Sequence, residues 1–193
     1  EKLQLTACQE TAKDKIIGFL LSGDTTLVLA GEPGTGKSAL IAELIKDKND
    51  INKMLTLLGN KQINEILVTA TTNKAAEILA DSTGLDVSTI HSALGISIFS
   101  DYKTGNTRLK RNTNSQIVEN ALIIIDESSM VSREMFKLIQ QCTLNCKFIY
   151  VGDPAQLSPV GEPTSQVFDD MTDAAVLTTP VRTSNQAIKE LSK

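Results

Sequence analysis

Three features of this sequence predict an α/β fold built on a doubly wound parallel sheet. Short, almost wholly apolar runs alternate with longer amphipathic stretches. The runs lack the polar alternation of strands with one wet face, so both of their faces must be covered. The residue clusters that carry recognisable chemistry fall at the carboxyl ends of the runs, where ligands bind in such sheets. Strands that alternate with helices in this way pair in parallel and carry helices on both sides.

The first helix is read over Ala7–Leu21, opened by Thr6-Ala7-Cys8-Gln9, a T-x-x-Q capping box. Strand runs follow at Thr25–Ala30, Glu65–Ala70, Ala121–Asp126, Lys147–Val151 and Ala175–Leu177. Helices are read between them at Lys37–Lys46, Asn73–Asp81 and Ser132–Gln141. The last carries Met135, Leu138, Ile139 and Cys142 at i, i+3, i+4 and i+7, an apolar stripe for one sheet face.

One stretch breaks the alternation. Residues 96–114 run Ile-Ser-Ile-Phe, then a polar segment turning near Gly105-Asn106, then Arg-Leu-Lys-Arg-Asn. A turn pair between two short alternating segments predicts a β-hairpin. Lys103, Arg108, Lys110 and Arg111 make it basic within an acidic chain. A solvated loop is the competing reading.

Length and composition narrow the function classes. With 193 residues, 41% of them hydrophobic, the chain can bury a core of one large domain carrying an insertion. No apolar run reaches the ~20 residues that span a bilayer, and no signal-peptide core opens the chain. A soluble, cytoplasmic protein without a membrane partner is expected. The first residue is Glu1 rather than methionine, so an excised segment of a longer protein is expected. Cys8, Cys142 and Cys146 cannot all pair with one another, and zinc would need about four ligands where there is a single histidine. Small buried thiols are the expected reading of Cys142 and Cys146. A net charge of −4 argues against a broad basic face for duplex phosphates, but not against a groove that holds a single strand by stacking and local contacts.

Gly31-Glu32-Pro33-Gly34-Thr35-Gly36-Lys37-Ser38 satisfies G-x-x-x-x-G-K-S between a strand and a helix, the setting this motif requires. Its glycines let backbone N–H groups of Gly34, Thr35, Gly36, Lys37, Ser38 and Ala39 gather around phosphate oxygens at a helix N-terminus. Lys37 reaches the β- and γ-phosphates, and Ser38 can ligate Mg²⁺. The run Leu122–Ile125 ends in Asp126-Glu127, a carboxylate pair that repels itself unless a cation or polar partners stand nearby. With a phosphate loop in the same chain, Asp126 is assigned to the Mg²⁺ shell and Glu127 to the attacking water as base; first-turn acids of a helix are the bland alternative. Val151-Gly152-Asp153-Pro154-Ala155-Gln156-Leu157 again follows a strand and sets an amide, Gln156, where water or a γ-phosphate could be sensed.

Taken together and in order, these segments resemble superfamily 1 helicases, and among them the superfamily 1B group of RecD-like and phage Dda-like enzymes. Leu5-Thr6-x-x-Gln9 resembles the adenine-reading motif, Ala70–Ala76 motif Ia, Ser88-Thr89-Ile90-His91 the motif beyond it, Ile124–Met130 motif II, and Gly152–Leu157 with Pro159-Val160-Gly161 motif III. Leu177-Thr178-x-x-x-Arg182 is similar to motif IV, whose arginine reaches the γ-phosphate.

The resemblance implies a RecA-like P-loop NTPase domain, residues 1–193, that binds and hydrolyses ATP with Mg²⁺. It implies an adenine contact for Gln9, against the capping-box reading. It implies single-stranded DNA contacts for Thr71, Thr72, Asn73 and His91, where helix capping and a structural histidine are the alternatives. It places the strand-separating pin of the small 1B domain at residues 96–114. A second RecA-like domain, with an arginine finger, is expected as a partner in the parent chain, and travel from 5′ to 3′ is implied. Two rivals remain. An AAA+ or other switch ATPase would not need Gln156 in Gly-Asp-x-x-Gln or Arg182 in Leu-Thr-x-x-x-Arg. A degenerate domain that only binds strands or partners would not need Lys37, Ser38, Asp126 and Glu127 intact.

Overall fold

A computed structural model describes residues 5–100, 107–153 and 174–179. Its centre is a six-stranded parallel sheet. In chain order the strands are β1 (Thr26–Gly31), β2 (Ile66–Ala70), β3 (Ser88–Thr89), β7 (Leu122–Asp126), β9 (Lys147–Gly152) and β10 (Ala174–Leu177). In space they run β10-β1-β9-β7-β2-β3. β9 is therefore inserted between the strand that ends in the glycine-rich loop and the strand that ends in Asp126.

The central strands β1, β7 and β9 are almost wholly apolar because alternate residues point to opposite faces and both faces are covered. Leu27, Leu29, Leu122, Ile124, Ile149 and Val151 enter one core. That core is closed by α1 (Ala7–Leu21), α2 (Lys37–Lys46), α3 (Lys48–Leu57) and α4 (Asn73–Thr83), through residues such as Ile16, Leu40, Leu44, Ile51 and Leu79. The intervening residues Val28, Ala30, Ile123, Ile125, Phe148 and Tyr150 enter a second core on the other face. It is closed by α5 (Ile90–Leu94) and α6 (Arg133–Gln141), through Leu94, Met135, Ile139 and Cys142.

The helices depart from the sequence reading at three points. Helix α3 was not anticipated. It restarts one residue after α2, with Asp47 serving as C-cap of one helix and N-cap of the next, and its buried stripe is only Ile51 and Leu55. The third helix of the sequence reading extends past Asp81 to Thr83, where Gly84 closes it in the left-handed conformation at φ 69°. Ser132 is the cap of α6 rather than its first turn, accepting from Met135 N.

β4 (Ile96–Ser100) and β5 (Thr107–Arg111) pair antiparallel, with Ile98 opposite Leu109 and Phe99 opposite Arg108. The turn near Thr104–Asn106 and Tyr102 lie outside the described residues. Two short strands, β6 (Val118–Glu119) and β8 (Thr143–Leu144), pair beside the sheet. Among the described residues, no helix is long and apolar enough to cross a membrane.

Candidate functional site

The glycine-rich loop leaves the end of β1 and enters α2. Gly34 and Gly36 sit at φ 81° and 84°, where a side chain is strained, and Gly36 caps the helix. Gly31 is required for a different reason: a Cβ there would lie 2.7 Å from Thr35 Oγ1 and 3.0 Å from the Leu177 carbonyl. Thr35 is buried and donates to the Glu32 carbonyl at 2.8 Å, fixing the turn from within. Lys37 Nζ donates to the carbonyls of Gly31 at 2.5 Å and Glu32 at 2.9 Å. Burial lowers its pKa, and the carboxylates of Asp126, Asp153 and Glu127 act in the opposite direction. Ser38 and Ala39 follow in the first turn of α2, both half-buried.

Gln9 is 3% exposed and forms the capping box: Thr6 N donates to its Oε1, and its own N–H donates to Thr6 Oγ1. Its Nε2 donates to the Gly36 carbonyl at 3.2 Å. One side chain thus closes the first turn of α1 and ties it to the phosphate loop.

Asp126 ends β7, and burial is the largest cause raising its carboxyl pKa; the Glu127 charge adds to it, while the Glu127 N–H and the Lys37 charge lower it. Glu127 adopts φ 54°, ψ 42°, a left-handed conformation that costs a non-glycine residue ~1–3 kcal/mol. Its carbonyl accepts from Met130 N at 3.0 Å and from Thr71 Oγ1 at 3.3 Å. The second bond follows from the sheet: Ala70 of β2 is in register with Asp126 of β7, so the next residues of both strands lie side by side.

Thr71, Thr72, Lys74, Ile78, Glu127 and Met130 line a cleft of about 260 Å³ that also reaches Asp126. Thr72 caps α4 by accepting from Ala75 N, and Asn73 begins that helix. Exposed Ile78 and Met130 add an apolar wall beside the polar turn, which the sequence reading missed because nothing in their local pattern marks them. Asp153, to which its motif alone assigns no role, follows the end of β9, between β1 and β7, and contributes to the field at Lys37. A larger hollow of about 390 Å³ lies at the opposite end of the sheet, around the starts of β1, β7 and β9, far from this chemistry.

His91 is half-buried on α5, and burial lowers its pKa. It is not among the residues lining the cleft beside Glu127. Gln156 and Arg182 lie outside the described residues. Cys142 and Cys146 are buried thiols. Among the described residues, no cluster of three or more His, Cys, Asp or Glu side chains could hold a metal ion.

Fold and loop together define a P-loop nucleotide-binding domain on a RecA-like sheet. The chain belongs to the AAA domain family, whose model matches residues 14–162. It is 28% identical over 166 residues to the ATP-dependent DNA helicase dda of Enterobacteria phage T4, covering 84% of this chain and 35% of dda. It is 32% identical over 141 residues to the ATP-dependent RecD2 DNA helicase of Deinococcus radiodurans, covering 72% of this chain and 17% of RecD2. The chain thus spans about a third of the length of one relative and less of the other. In structure it resembles Bacteroides sp Pif1 in complex with ADP-AlF4, with a TM-score of 0.58 and 18% identity over 98% of this chain and 45% of that one, a likeness of fold. These similarities support the N-terminal RecA-like domain of a superfamily 1B helicase.

Proposed function

We propose that this chain is the N-terminal motor domain of an ATP-dependent DNA helicase moving 5′ to 3′, and that it binds and hydrolyses Mg·ATP while contacting single-stranded DNA. The observation that carries the reading is the bond from Thr71 to the Glu127 carbonyl, which joins the turn offered to DNA directly to the proposed catalytic base. A remodelling ATPase has no need of that turn.

In this reading the backbone of Gly34–Ala39 and the Lys37 ammonium hold the phosphates. Glu127 takes a proton from the attacking water. Gln156 orients that water, Arg182 faces the γ-phosphate, and Gln9 meets the adenine edge through the Nε2–H not given to Gly36. Magnesium suits the donors present: the Ser38 hydroxyl and the half-buried Asp126 carboxylate, whose raised pKa marks a charge in want of a cation. Mg²⁺ takes one or two carboxylates besides phosphate oxygens and neutralises charge on them. Thr71, Thr72, Asn73 and His91 contact the strand, and the exposed face of the hairpin, with Phe99 opposite Arg108 and beside Lys110, meets the junction. The second RecA-like domain of the parent protein completes the site.

Calorimetry with Mg·ATP tests the nucleotide half. Lys37→Ala should weaken binding by roughly tenfold to a hundredfold, the worth of a charge-assisted contact. Equal affinities would remove Lys37 from the site. For the parent protein, hydrolysis should rise with single-stranded DNA; a rate indifferent to DNA would refute the helicase reading.

A further inference from the structure

We infer that Glu134 is a positioning residue that fastens the hairpin to the catalytic strand, so that helix α6 acts as a strut between Glu127 and the proposed strand-separating element. The inference rests on the reading of residues 96–114 as that element.

The strut begins at the proposed catalytic base. Three bonds tie the connection from β7 to α6: Ser128 Oγ donates to the Ile125 carbonyl at 2.5 Å, Met130 N to Glu127 at 3.0 Å, and Val131 N to Ser128 at 3.1 Å. Ser132 then caps α6. Only the 3-10 turn Ser128–Met130, Val131 and the Ser132 cap separate the left-handed Glu127 from the helix, a short bonded connection through which a shift of one would be passed to the other. In its first turn α6 presents Glu134, whose Oε1 accepts from the backbone N–H of Leu109 at 3.3 Å. A two-stranded ribbon leaves outward N–H groups on each strand without a ladder partner. Glu134 takes one of them. The Leu109 side chain packs on the second core, which holds Met135 and Ile139 of the same helix. β5 is thus gripped by α6 through one polar and one apolar contact.

The other root of the ribbon is locked to α5. Gly95 closes α5 at φ 62°, and a Cβ on it would stand 2.4 Å from Ser115 Cβ. Arg111 donates to Ser115 Oγ at 3.0 Å and to the Ser115 carbonyl at 2.5 Å, and Ser97 Oγ donates to Asn112 Oδ1 at 2.5 Å. A ribbon so clamped at its base transmits a tilt of α6 along its length instead of absorbing it.

Glu134 is exposed and outside the nucleotide site, so its replacement spares the fold. Glu134→Ala and Glu134→Gln in the parent protein separate the acceptor from the charge, because glutamine keeps an oxygen for Leu109 N–H. The readouts are amide exchange at Leu109, base pairs opened per ATP, and ATPase with single-stranded DNA. Alanine should raise Leu109 exchange by about threefold to tenfold, the worth of one hydrogen bond. It should also lower base pairs opened per ATP, with ATPase held within about twofold of wild type; glutamine should restore both. Unchanged exchange, or glutamine behaving as alanine, overturns the brace. Raised exchange with unchanged coupling overturns the strut while the hairpin reading stands, provided that replacing residues 102–110 by a Gly-Ser turn still abolishes unwinding. If that replacement leaves unwinding intact, the hairpin reading fails and the inference fails with it.

Discussion

The nucleotide end of the sheet and the root of the hairpin are both tightly constrained, but by different means. At the nucleotide end most constraints are set within a few residues: left-handed Gly34, Gly36 and Glu127, and Lys37 and Thr35 bonded to carbonyls of their own loop, with the Gln9 bond to Gly36 and the Thr71 bond to Glu127 as the long-range ties. At the hairpin root the constraints join residues distant in the chain, Gly95 to Ser115, Ser97 to Asn112, and Leu109 to Glu134. The first kind of order is chemical and local, so it is written in a motif. The second depends on how elements meet, so it is written only in the fold.

The comparison is broken most severely at Glu127. Glu127→Gln preserves volume and the left-handed backbone, and removes only the base. In the parent protein, turnover should fall by ~10²–10⁴ while nucleotide still binds. Wild-type hydrolysis in the presence of DNA would show that Glu127 is no base and that its strained backbone serves only to start the next turn.

Next in size is the hairpin root. Gly95→Ala adds a Cβ that meets Ser115 Cβ at 2.4 Å in a left-handed conformation. Overpacking and strain together should cost about 2–4 kcal/mol, read as a lowered denaturant midpoint. Gly84 is also left-handed, at φ 69°, but has open space around it, so Gly84→Ala should cost only about 1 kcal/mol. Equal losses at the two sites would mean that conformation, and not the interlock, limits the root.

Much of the fold was legible because the central strands feed two cores at once. Runs such as Leu122–Ile125 admit no polar face, and only a sheet sandwiched between helix layers uses them. The loop and the Asp126-Glu127 pair were legible because their spacing is the chemistry. Helix α3 was not, since Asp47 continues the helical backbone and no stop signal separates it from α2. Its neighbouring loop is held by Asn52, whose side chain brackets Ile63 at 2.8 and 2.9 Å, a contact with no local signature. Neither Thr71 against Glu127 nor Glu134 against Leu109 could be read in advance, because each depends on register across elements.

A gentler probe of the nucleotide end is Gly31→Ala. Gly31 has no left-handed requirement, so the expected loss of about 1–3 kcal/mol comes from crowding, the 2.7 Å approach to Thr35 Oγ1 and the 3.0 Å approach to the Leu177 carbonyl. Nucleotide affinity should fall with it, because Thr35 shapes the loop. A neutral result would show that Thr35 can turn away without opening the loop.

The smallest effect sharpens the contrast between stability and function at one carboxylate. Burial raises the Asp126 pKa above its ordinary value of 3.8, so the folded chain binds this proton more tightly than the unfolded chain does. Stability that depends on Asp126 is therefore present at low pH and is lost as pH rises through the raised folded value. Above that value the folded chain carries a charge it would hold more easily if unfolded. Asp126→Asn removes this penalty while keeping the side-chain shape. In magnesium-free buffer at neutral pH the variant should melt slightly higher than wild type, and the difference should vanish on acidification. With Mg·ATP present the order should reverse, because binding stabilises the chain that retains the carboxylate more than the variant. A variant less stable than wild type without magnesium would show that Asp126 is satisfied by the protein alone. The carboxylate would then be a structural group at the strand end.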